Sequence, residues 1–395
     1  MSTRHDAHVL IIGGGATGGG LAHDLALRGL RVTLVERGEV TSGTSGRHHG
    51  LLHSGARYAV GDREAGVECI RESTILKRIA PGTFECNDGL FVAVCEEDLE
   101  YLDPLVDACT EAGIPAQRLS AAQALRLEPN LNPELKAAVR VPDATVDPMR
   151  LILRFFATAR HNGADIRPYM EVTGLVRHNG RVTGAALRDH VTGKTGEFNA
   201  DLVVNAAGPW SGQVAAMGGA TVPMTPSPGV LLAVRGRFCN MVINRMHKSA
   251  DGDIVVPQRG LSIVGTSSWV VEDPDELPVP EDHVERMYTE GTKLIPALRH
   301  APRRAAWSAA RPLVGSGGAA TGRELSRTFQ TFDHAARDGL EGFVTITGGK
   351  STTLRGMAEV CADLVCRKLG IDAPCRTREH VLLPHTAYYS EAAAA

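Results

Sequence analysis

The amino-terminal segment carries the strongest constraint on the fold of this 395-residue chain. A β-branched run, VLII at residues 9–12, is followed by the glycine-rich GGGATG at 13–18, which fits the pattern G-x-G-x-x-G. Apolar residues then recur at helical spacing up to Gly29, and a second apolar run, VTLV, occupies residues 32–35. This order of strand, glycine turn, helix and strand predicts a Rossmann-like βαβ unit with a dinucleotide site.

Each glycine of the turn has a separate physical task. Gly13 permits the tight turn, Gly15 lacks a Cβ and lets the backbone approach a pyrophosphate, and Gly18 lets the helix pack closely on the strand. The helix N-terminus at Ala16 and Thr17 presents free N–H groups and a partial positive charge to the same pyrophosphate. The sequence therefore predicts cofactor binding by these five residues.

Glu36 stands at the end of the second strand, 18 residues after Gly18. A carboxylate there can accept hydrogen bonds from both ribose hydroxyls, and it would repel a 2′-phosphate, so NADP is disfavoured. The pattern by itself does not separate FAD from NAD. Its position near the start of the chain favours FAD.

Beyond this unit, short apolar runs predict two interleaved domains. Buried strands at 201–210 and 343–347 extend the nucleotide-binding part, whereas 223–334 is rich in short β-like pieces typical of an antiparallel sheet. The predicted fold class is α/β, a Rossmann-like nucleotide-binding domain with an interleaved α+β substrate domain that contains an antiparallel sheet. The nucleotide-binding domain is assigned 1–80, 146–222 and 335–383, the substrate or cap domain 81–145 and 223–334, and a disordered tail 384–395.

Local patterns predict several further elements. Residues 63–79 and 151–160 are expected to be helical, and two strands are expected around the turn Asn179-Gly180. Residues 41–58 contain four glycines and many small hydroxyls, which disfavours a helix in the first half of this segment. Such a segment can lie flat against a planar ligand.

Composition and charge exclude several classes of function. The net charge of −3 offers no electrostatic footprint for nucleic acid, and the sequence has no run of 18 apolar residues that would span a membrane. None of the eight cysteines lies in a C-x-x-C pair, so no metal site is expected. This cysteine usage, with only eight residues before the first apolar run and hence no room for a secretory signal, predicts a cytoplasmic protein.

Seven segments of the sequence carry a resemblance to a known family. They are residues 11–18, 46–59, 203–208, 242–245, 261–266, 311–314 and 345–350. With them the sequence resembles the flavin-dependent glycerol-3-phosphate dehydrogenases, within the D-amino-acid-oxidase-like flavoprotein superfamily. It is most similar to the flavin subunit of the anaerobic-type enzyme. The resemblance implies FAD as the cofactor, so that the nucleotide-binding domain becomes an FAD-binding domain.

The resemblance implies oxidation of sn-glycerol 3-phosphate to dihydroxyacetone phosphate. Hydride leaves C2 of the substrate for flavin N5, and the hydroxyl proton passes to a base. His53 is the implied base, since it would lie beside the flavin with a reference pKa near 6.5; the alternative is that it only hydrogen-bonds flavin or substrate. Arg57 and Arg311 are implied to bind the phosphate, because a guanidinium offers a planar fork to its oxygens; the alternative is a salt bridge to a carboxylate in a loop.

Further substrate contacts are implied for Tyr58, Arg245, Lys248 and Thr266. The alternative is a core aromatic for Tyr58 and solvated surface cations for Arg245 and Lys248. Lys350, at the start of a helix, is implied to face the flavin pyrimidine edge, where positive charge favours the reduced flavin and raises its potential. The predicted catalytic set is His53, Arg57, Arg311 and Lys350.

The resemblance also implies a larger set of cofactor contacts. Besides the glycine turn and Glu36, they include Arg37 and Val172, and the others lie around residue 50, near residue 208 and at the turn near residue 349. They are Arg37, Thr44, Ser45, Gly46, His49, Gly50, Leu51, Leu52, Val172, Ala207, Gly208, Trp210, Gly348, Gly349, Lys350, Ser351 and Thr352.

The sequence departs from the family pattern in two ways. It stops before the cysteine-bearing C-terminal domain of the anaerobic-type flavin protein, so the alternative electron acceptors are quinone, oxygen and an electron-transfer partner subunit. A quinone acceptor would bring the protein to the inner face of the membrane as a peripheral protein. At single positions, Leu354 stands where the family often has an aromatic residue, and His247 stands where it often has Arg.

Three functions remain in competition at this point. The first is oxidation of sn-glycerol 3-phosphate, or of another polyol phosphate such as an erythritol phosphate. The second is an FAD oxidase or dehydrogenase of an amino acid or 2-hydroxy acid, in which the arginines would hold a carboxylate. The third is a flavin-binding subunit that serves mainly in assembly or electron relay.

Overall fold

The computed structural model describes residues 5–315, 322–323 and 325–392. The strands of this part of the chain are β1 His8–Ile12, β2 Arg31–Val35, β3 Leu51–Leu52, β4 Phe84–Glu85, β5 Gly89–Ala93, β6 Gln117–Ser120, β7 Ala137–Val141, β8 Ala144–Val146, β9 Asp165–Arg167, β10 Met170–His178, β11 Arg181–Asp189, β12 Thr195–Asn199, β13 Leu202–Asn205, β14 Met224–Arg235, β15 Val242–Arg245, β16 Ile254–Gln258, β17 Leu261–Gly265, β18 Arg303–Val314, β19 Phe329–Asp333 and β20 Phe343–Gly348. The helices are α1 Ala16–Leu27, α2 Ala56–Ala59, α3 Arg63–Ile79, α4 Glu96–Leu99, α5 Leu102–Glu111, α6 Ala121–Leu127, α7 Pro148–His161, α8 Ser211–Met217, α9 Glu281–Leu294, α10 His334–Asp338, α11 Leu354–Leu369 and α12 Ala387–Ala392.

A six-stranded sheet in the order β19-β20-β13-β1-β2-β9 forms the Rossmann-like part. Its strands are parallel except for the edge strand β19, which runs antiparallel to β20. One face of β1, with Val9 and Ile11, packs in the core with α1, α7 and α11, and the other, with Leu10 and Ile12, packs with the β10–β11 hairpin and α8. Because both faces are covered, the strand has apolar residues at successive positions.

The second large sheet has eight strands in the order β18-β14-β17-β16-β15-β5-β7-β6. Strands β5 to β7 come from the earlier of the two predicted cap segments and β14 to β18 from the later one, so both segments share one sheet. The pairing is antiparallel except between β5 and β15. Strand β19, which the sequence analysis assigned to the cap, belongs to the parallel sheet, because its antiparallel partner is β20.

Several local predictions agree with the described elements. Helix α3 spans Arg63–Ile79, and β10 and β11 form a hairpin closed by Asn179 and Gly180, with φ of 48° and 78°. Positive φ at both central residues is the requirement of a type I′ turn, which Asn-Gly fulfils at low cost.

The prediction of a disordered tail at 384–395 is wrong for residues 387–392, which form α12. Tyr388 is buried, with its ring centroid 6.1 Å from that of Phe156 and 4.0 Å from the guanidinium carbon of Arg160. Burial of this aromatic ring against α7 orders a segment whose alanine-rich end suggested disorder. Residues 393–395 lie outside the described part of the chain.

A buried histidine in α1 leads to a prediction about pH stability. His23 is fully buried, and neither ring nitrogen has a hydrogen-bond partner among the described residues. Burial and the nearby His380 lower the pKa of His23 from 6.5 to about 3. The unfolded chain therefore binds a proton at His23 that the folded chain does not accept, and this residue costs stability as the pH falls below 6.5.

We expect His23→Leu to remove this loss. Between pH 7.5 and 5.5, wild-type protein should lose about 1.4 kcal/mol of unfolding free energy through His23, and the variant should not. Urea unfolding at both pH values measures the difference, and His178→Gln, at an exposed position, is the control. An equal loss in wild type and H23L would contradict the prediction.

Candidate active site

A cavity of about 680 Å³ lies at the carboxyl ends of the parallel strands. One part of its wall comes from the ends of β1, β2, β13 and β20, and another part comes from β14, β16 and β18 of the cap sheet. Ligands of open α/β sheets bind at this edge, where the strands end and the helices begin. The topology therefore makes this cavity the candidate site.

Most predicted site residues line this cavity. They are Gly13, Gly15, Ala16, Thr17, Glu36, Arg37, Thr44, Ser45, His49, Leu51, His53, Arg57, Tyr58, Val172, Ala207, Gly208, Trp210, Thr266, Arg311, Gly348, Gly349, Lys350, Ser351 and Thr352. The predicted residues outside its wall are Gly18, Gly46, Gly50, Leu52, Arg245 and Lys248.

Four of these outlying residues pack against the protein itself. A Cβ built on Gly18, Gly46 or Gly50 would lie between 1.9 and 2.5 Å from a backbone carbonyl oxygen, so these glycines allow close backbone packing. Leu52 is 1% exposed and belongs to the core beneath the parallel sheet. We therefore revise their assignment from cofactor contact to support of the cavity wall.

The other two outlying residues are the predicted substrate contacts Arg245 and Lys248. The Nε atom of Arg245 donates to Asp98 at 3.1 Å, and its Nη1 lies 3.6 Å from a carboxylate oxygen of Glu290. Lys248 is exposed. We therefore revise both residues, Arg245 to an ion-pair residue of the cap and Lys248 to a surface cation.

The glycine turn brings backbone and helix terminus to one end of the cavity. Gly13 has a φ of 112°, and a Cβ at this position would lie 2.6 Å from the carbonyl oxygen of Ala206. Helix α1 starts at Ala16, whose N–H donates to Ser45 Oγ at 2.9 Å. Gly13 thus permits a close approach to Ala206, and the turn brings its backbone and the positive end of α1 to the cavity.

Glu36 and Arg37 follow β2 in the same wall. The two carboxylate oxygens of Glu36 accept hydrogen bonds from the N–H groups of Gly14 at 2.7 Å and Gly38 at 2.9 Å. The Arg37 guanidinium lies 4.6 Å from the ring centroid of Trp210 and forms an ion pair with Asp275. Asp275, which the sequence analysis did not identify, thus joins the cap to the nucleotide-binding part.

The opposite wall follows β20. Gly348 and Gly349 line the cavity, and the next 3₁₀ turn leads into α11. Ser351 Oγ is buried with no hydrogen-bond partner in the described part of the chain. The Nζ atom of Lys350 donates to the Arg327 carbonyl at 2.7 Å and lies 4.8 Å from the ring centroid of Tyr58.

His53 and Tyr58 face each other in the cavity wall. The distance from His53 Nε2 to Tyr58 Oη is 3.4 Å, and the backbone N–H of His53 donates to Thr352 Oγ1 at 3.2 Å. Burial, followed by His49, Arg57, Lys350 and His48, lowers the pKa of His53 well below 6.5. Burial raises the pKa of Tyr58 to about 12. At neutral pH His53 is therefore an uncharged acceptor and Tyr58 a protonated donor.

Arg57 reaches the cavity beside this pair. Its side chain is 9% exposed, and its Nη2 donates to Asp253 Oδ1 at 2.5 Å and to Ser249 Oγ at 2.9 Å. Its Nη1 is buried and has no hydrogen-bond partner among the described residues. An unpaired buried donor costs about 1–3 kcal/mol, which an acceptor in the cavity would recover.

Arg311, at the centre of the cavity wall on β18, is surrounded by neutral acceptors. Its guanidinium donates to the carbonyls of Ser227, Pro228 and Ser267 and to Thr266 Oγ1, and it forms no ion pair with a carboxylate of the described residues. Burial, followed by Arg327 and Arg323, lowers the pKa of Arg311 to about 9. An anion in the cavity would reverse that shift.

Arg327 and Arg323 were missed by the sequence analysis. Arg327 lines the cavity and makes no ion pair with a described residue; burial lowers its pKa, an effect partly offset by Tyr58. Arg323 also lines the cavity and pairs with Asp251. No motif around these two residues signals a site, because only the folded chain brings Arg323 and Arg327 to the cavity.

No group of three or more His, Cys, Asp or Glu side chains in the described ranges is arranged to hold a metal ion. Among the described helices, none is both long and apolar enough to cross a membrane.

Comparison with known proteins identifies the family. Residues 8–387 match the family described as FAD dependent oxidoreductase, abbreviated DAO. The chain belongs to this family. The prediction from sequence of a flavoprotein of this superfamily is therefore confirmed, and the chain is an FAD-dependent oxidoreductase.

The relatives of this oxidoreductase include enzymes whose names give a substrate. It is 47% identical over 386 residues to one subunit of the anaerobic glycerol-3-phosphate dehydrogenase of Escherichia coli strain K12, covering 97% of this chain and 71% of the relative. It is 44% identical over 385 residues to one subunit of the enzyme of the same name from Haloferax volcanii, covering 95% and 66%.

Two solved structures extend the comparison to the fold. The glycerol-3-phosphate dehydrogenase of Bacillus halodurans complexed with FAD has a TM-score of 0.74 and 26% identity, covering 96% of this oxidoreductase and 68% of that chain. The L-α-glycerophosphate oxidase of Mycoplasma pneumoniae with FAD bound has a TM-score of 0.74 and 21% identity, covering 94% and 97%. The predicted α/β fold class is confirmed.

The cavity of this oxidoreductase fits a flavin dinucleotide. At one end, the backbone of Gly13 and Gly15 lines the cavity beside the N-terminus of α1. Towards the other end, the buried Ser351 Oγ offers a hydroxyl with no partner in the described structure. A phosphate-binding terminus joined to a polar wall suits a cofactor with a pyrophosphate and a polar ring.

Proposed function

We propose that this chain oxidises sn-glycerol 3-phosphate to dihydroxyacetone phosphate. The observation that carries the proposal is the cluster of buried guanidinium groups of Arg57, Arg311 and Arg327 in the wall that also contains His53. The substrate named for the relatives, a phosphorylated secondary alcohol, needs both a cationic clamp and a base. The same cavity supplies both functions.

The number of these arginines and the partners that they have favour a phosphate over a carboxylate as the bound group. A carboxylate has two oxygens that one guanidinium fork can satisfy, whereas a phosphate monoester carries nearly two charges and three acceptor oxygens. Arg311 and Arg327 lack a carboxylate partner among the described residues, and Arg57 keeps one free buried donor. A dianion would neutralise these charges better than a single carboxylate would.

FAD would be held by residues at both ends of the cavity. The N–H groups at the start of α1, with Gly13 and Gly15, would bind the pyrophosphate, and Glu36 would bind the ribose. Gly348, Gly349, Lys350 and Ser351 would contact the ring. When bound, FAD supplies the acceptor for the hydride that leaves substrate C2.

The chain itself would handle the proton. His53 is uncharged, so its Nε2 can accept the hydroxyl proton of the substrate, and the substrate phosphate would raise the basicity of His53 by opposing the positive charges around it. Tyr58 stays protonated and can donate to the substrate oxygen or to His53. Lys350 would add positive charge near the negative charge that develops on the reduced flavin, which is the role predicted for it.

We also propose that electrons leave through partner subunits. The relatives from E. coli and Haloferax volcanii are each named as one subunit of a larger enzyme, and this chain corresponds to 71% of the E. coli relative. The alternative is a quinone or oxygen that accepts the electrons directly. Cytoplasmic location, with peripheral contact at the inner face of the membrane, stays a prediction.

Anaerobic reduction of the bound flavin tests the proposed function. We expect glycerol 3-phosphate to bleach the yellow holoenzyme, and we expect lactate, D-alanine and unphosphorylated glycerol to leave it oxidised. Bleaching by an erythritol phosphate but not by glycerol 3-phosphate would show that the substrate is a different polyol phosphate. Bleaching only by an amino or hydroxy acid, or by no small substrate, would contradict the proposal.

A further inference from the structure

A buried carboxylate, that of Asp253, pairs with Arg57 of the arginine cluster. Asp253 immediately precedes β16 and is 2% exposed. It does not line the cavity, whereas its partner Arg57 does. Asp253 is therefore out of reach of a ligand in the cavity and can act on one only through another residue.

The carboxylate of Asp253 is held on both oxygens. Its Oδ1 accepts from Arg57 Nη2 at 2.5 Å, and its Oδ2 accepts from the N–H of Ala250 at 2.8 Å. His247 Nε2 lies 3.5 Å from Oδ2. Burial would raise the pKa of Asp253, but Arg57 and these other contacts lower it to about 2, so Asp253 stays charged at neutral pH. A fixed and charged acceptor is thus available to Arg57.

Asp253 fixes the orientation of the Arg57 guanidinium. The bonds to Asp253 and Ser249 use Nη2, while Nη1 remains buried and unpartnered among the described residues. An arginine has many rotamers, and holding one of them costs conformational entropy. Asp253 supplies this ordering before a ligand arrives, and it leaves one donor of the guanidinium available to the cavity.

We infer that Asp253 is a positioning residue that presents the free Nη1 of Arg57 to the phosphate of the substrate. The inference rests on the proposed function for the identity of the substrate, but it concerns anion binding alone. Asp253 does not contact His53, so its loss should weaken phosphate binding with little change in the rate of hydride transfer.

Asp253→Asn in the holoenzyme tests this inference. We expect the Kd of inorganic phosphate, measured by its perturbation of the flavin absorption spectrum, to rise about tenfold. The KM for glycerol 3-phosphate should rise by a similar factor, kcat should change less than threefold, and FAD content should stay unchanged. Asp88→Asn removes an ion pair of the same cap sheet, with Arg140, and is the matched control.

A double-mutant cycle separates positioning from a general structural role. If Asp253 acts through Arg57, D253N should add no further loss of phosphate affinity in an Arg57→Ala background. Additive losses, or an unchanged phosphate Kd in D253N, would overturn the inference. A holoenzyme that binds phosphate but is not bleached by glycerol 3-phosphate would refute the proposed substrate while leaving this test valid.

A second measurement covers the case in which D253N fails to retain FAD. In Arg57→Ala, added guanidinium chloride at millimolar concentration should occupy the vacated space against Asp253. We expect it to restore phosphate binding at least severalfold. Failure of guanidinium to restore binding in R57A, with sodium chloride as the ionic-strength control, would then overturn the inference.

Discussion

His53→Ala is expected to lower kcat for glycerol 3-phosphate by about a hundredfold or more, which is the usual contribution of a general base. The backbone N–H of His53 donates to Thr352 Oγ1, and Nε2 of its uncharged imidazole lies 3.4 Å from Tyr58 Oη. Because other side chains maintain the phosphate clamp, KM should change much less than kcat. Rapid mixing under anaerobic conditions measures the rate of flavin reduction at saturating substrate.

His53→Gln distinguishes a base from a hydrogen-bonding residue. Glutamine retains a donor and an acceptor but cannot take up a proton at neutral pH. If His53 is the base, H53Q should be as slow as H53A. If H53Q reduces its flavin at nearly the wild-type rate, His53 only orients the flavin or the substrate, which is the alternative that the sequence left open. Tyr58→Phe, which removes the facing hydroxyl, should lower the rate less than either variant.

Arg311→Ala is expected to raise KM for glycerol 3-phosphate about a hundredfold, equivalent to about 2.7 kcal/mol. Its guanidinium bonds with neutral oxygens and lies near two further arginines, so its full charge is available to an anion. Arg311→Lys should recover only part of the affinity, because an ammonium lacks the planar fork. The Kd of inorganic phosphate provides a second readout.

A matched control for Arg311 lies on the same strand. Arg303, also in β18, is 37% exposed and pairs with Glu281 and Glu285 at the surface. Arg303→Ala should leave KM within twofold of wild type, since exposed ion pairs contribute little. An unchanged KM in R311A would remove Arg311 from the substrate site.

The sequence predicted the parts of the fold that depend on local patterns. The first βαβ unit, the helix α3 and the Asn-Gly hairpin each follow from spacing and turn residues within a short segment. The pairing of β5 with β15, about 150 residues later, has no such local signal. For the same reason β19 was assigned to the cap, since only its pairing with β20 determines its sheet.

The site was predicted where a motif carries it. Arg57 and Arg311 lie in segments that resemble the family, whereas Arg327, Asp253 and Asp275 acquire their positions from contacts between distant segments. Arg245 was included because its segment carries the resemblance. The side chain of Arg245 instead bonds with Asp98 in the cap. Successive residues of a strand face opposite sides, so a place in a family-like segment does not show that a side chain faces the cavity.

The order of strands in the parallel sheet constrains how this chain is made. Strand β13 pairs with β1 on one side and with β20 on the other, so the sheet includes strands from near both ends of the described chain. During synthesis β1 and β13 therefore leave the ribosome long before β20 exists, and β13 has an open edge until then. A fragment truncated before residue 343 would keep that apolar edge exposed, and its tendency to aggregate should exceed that of the full chain.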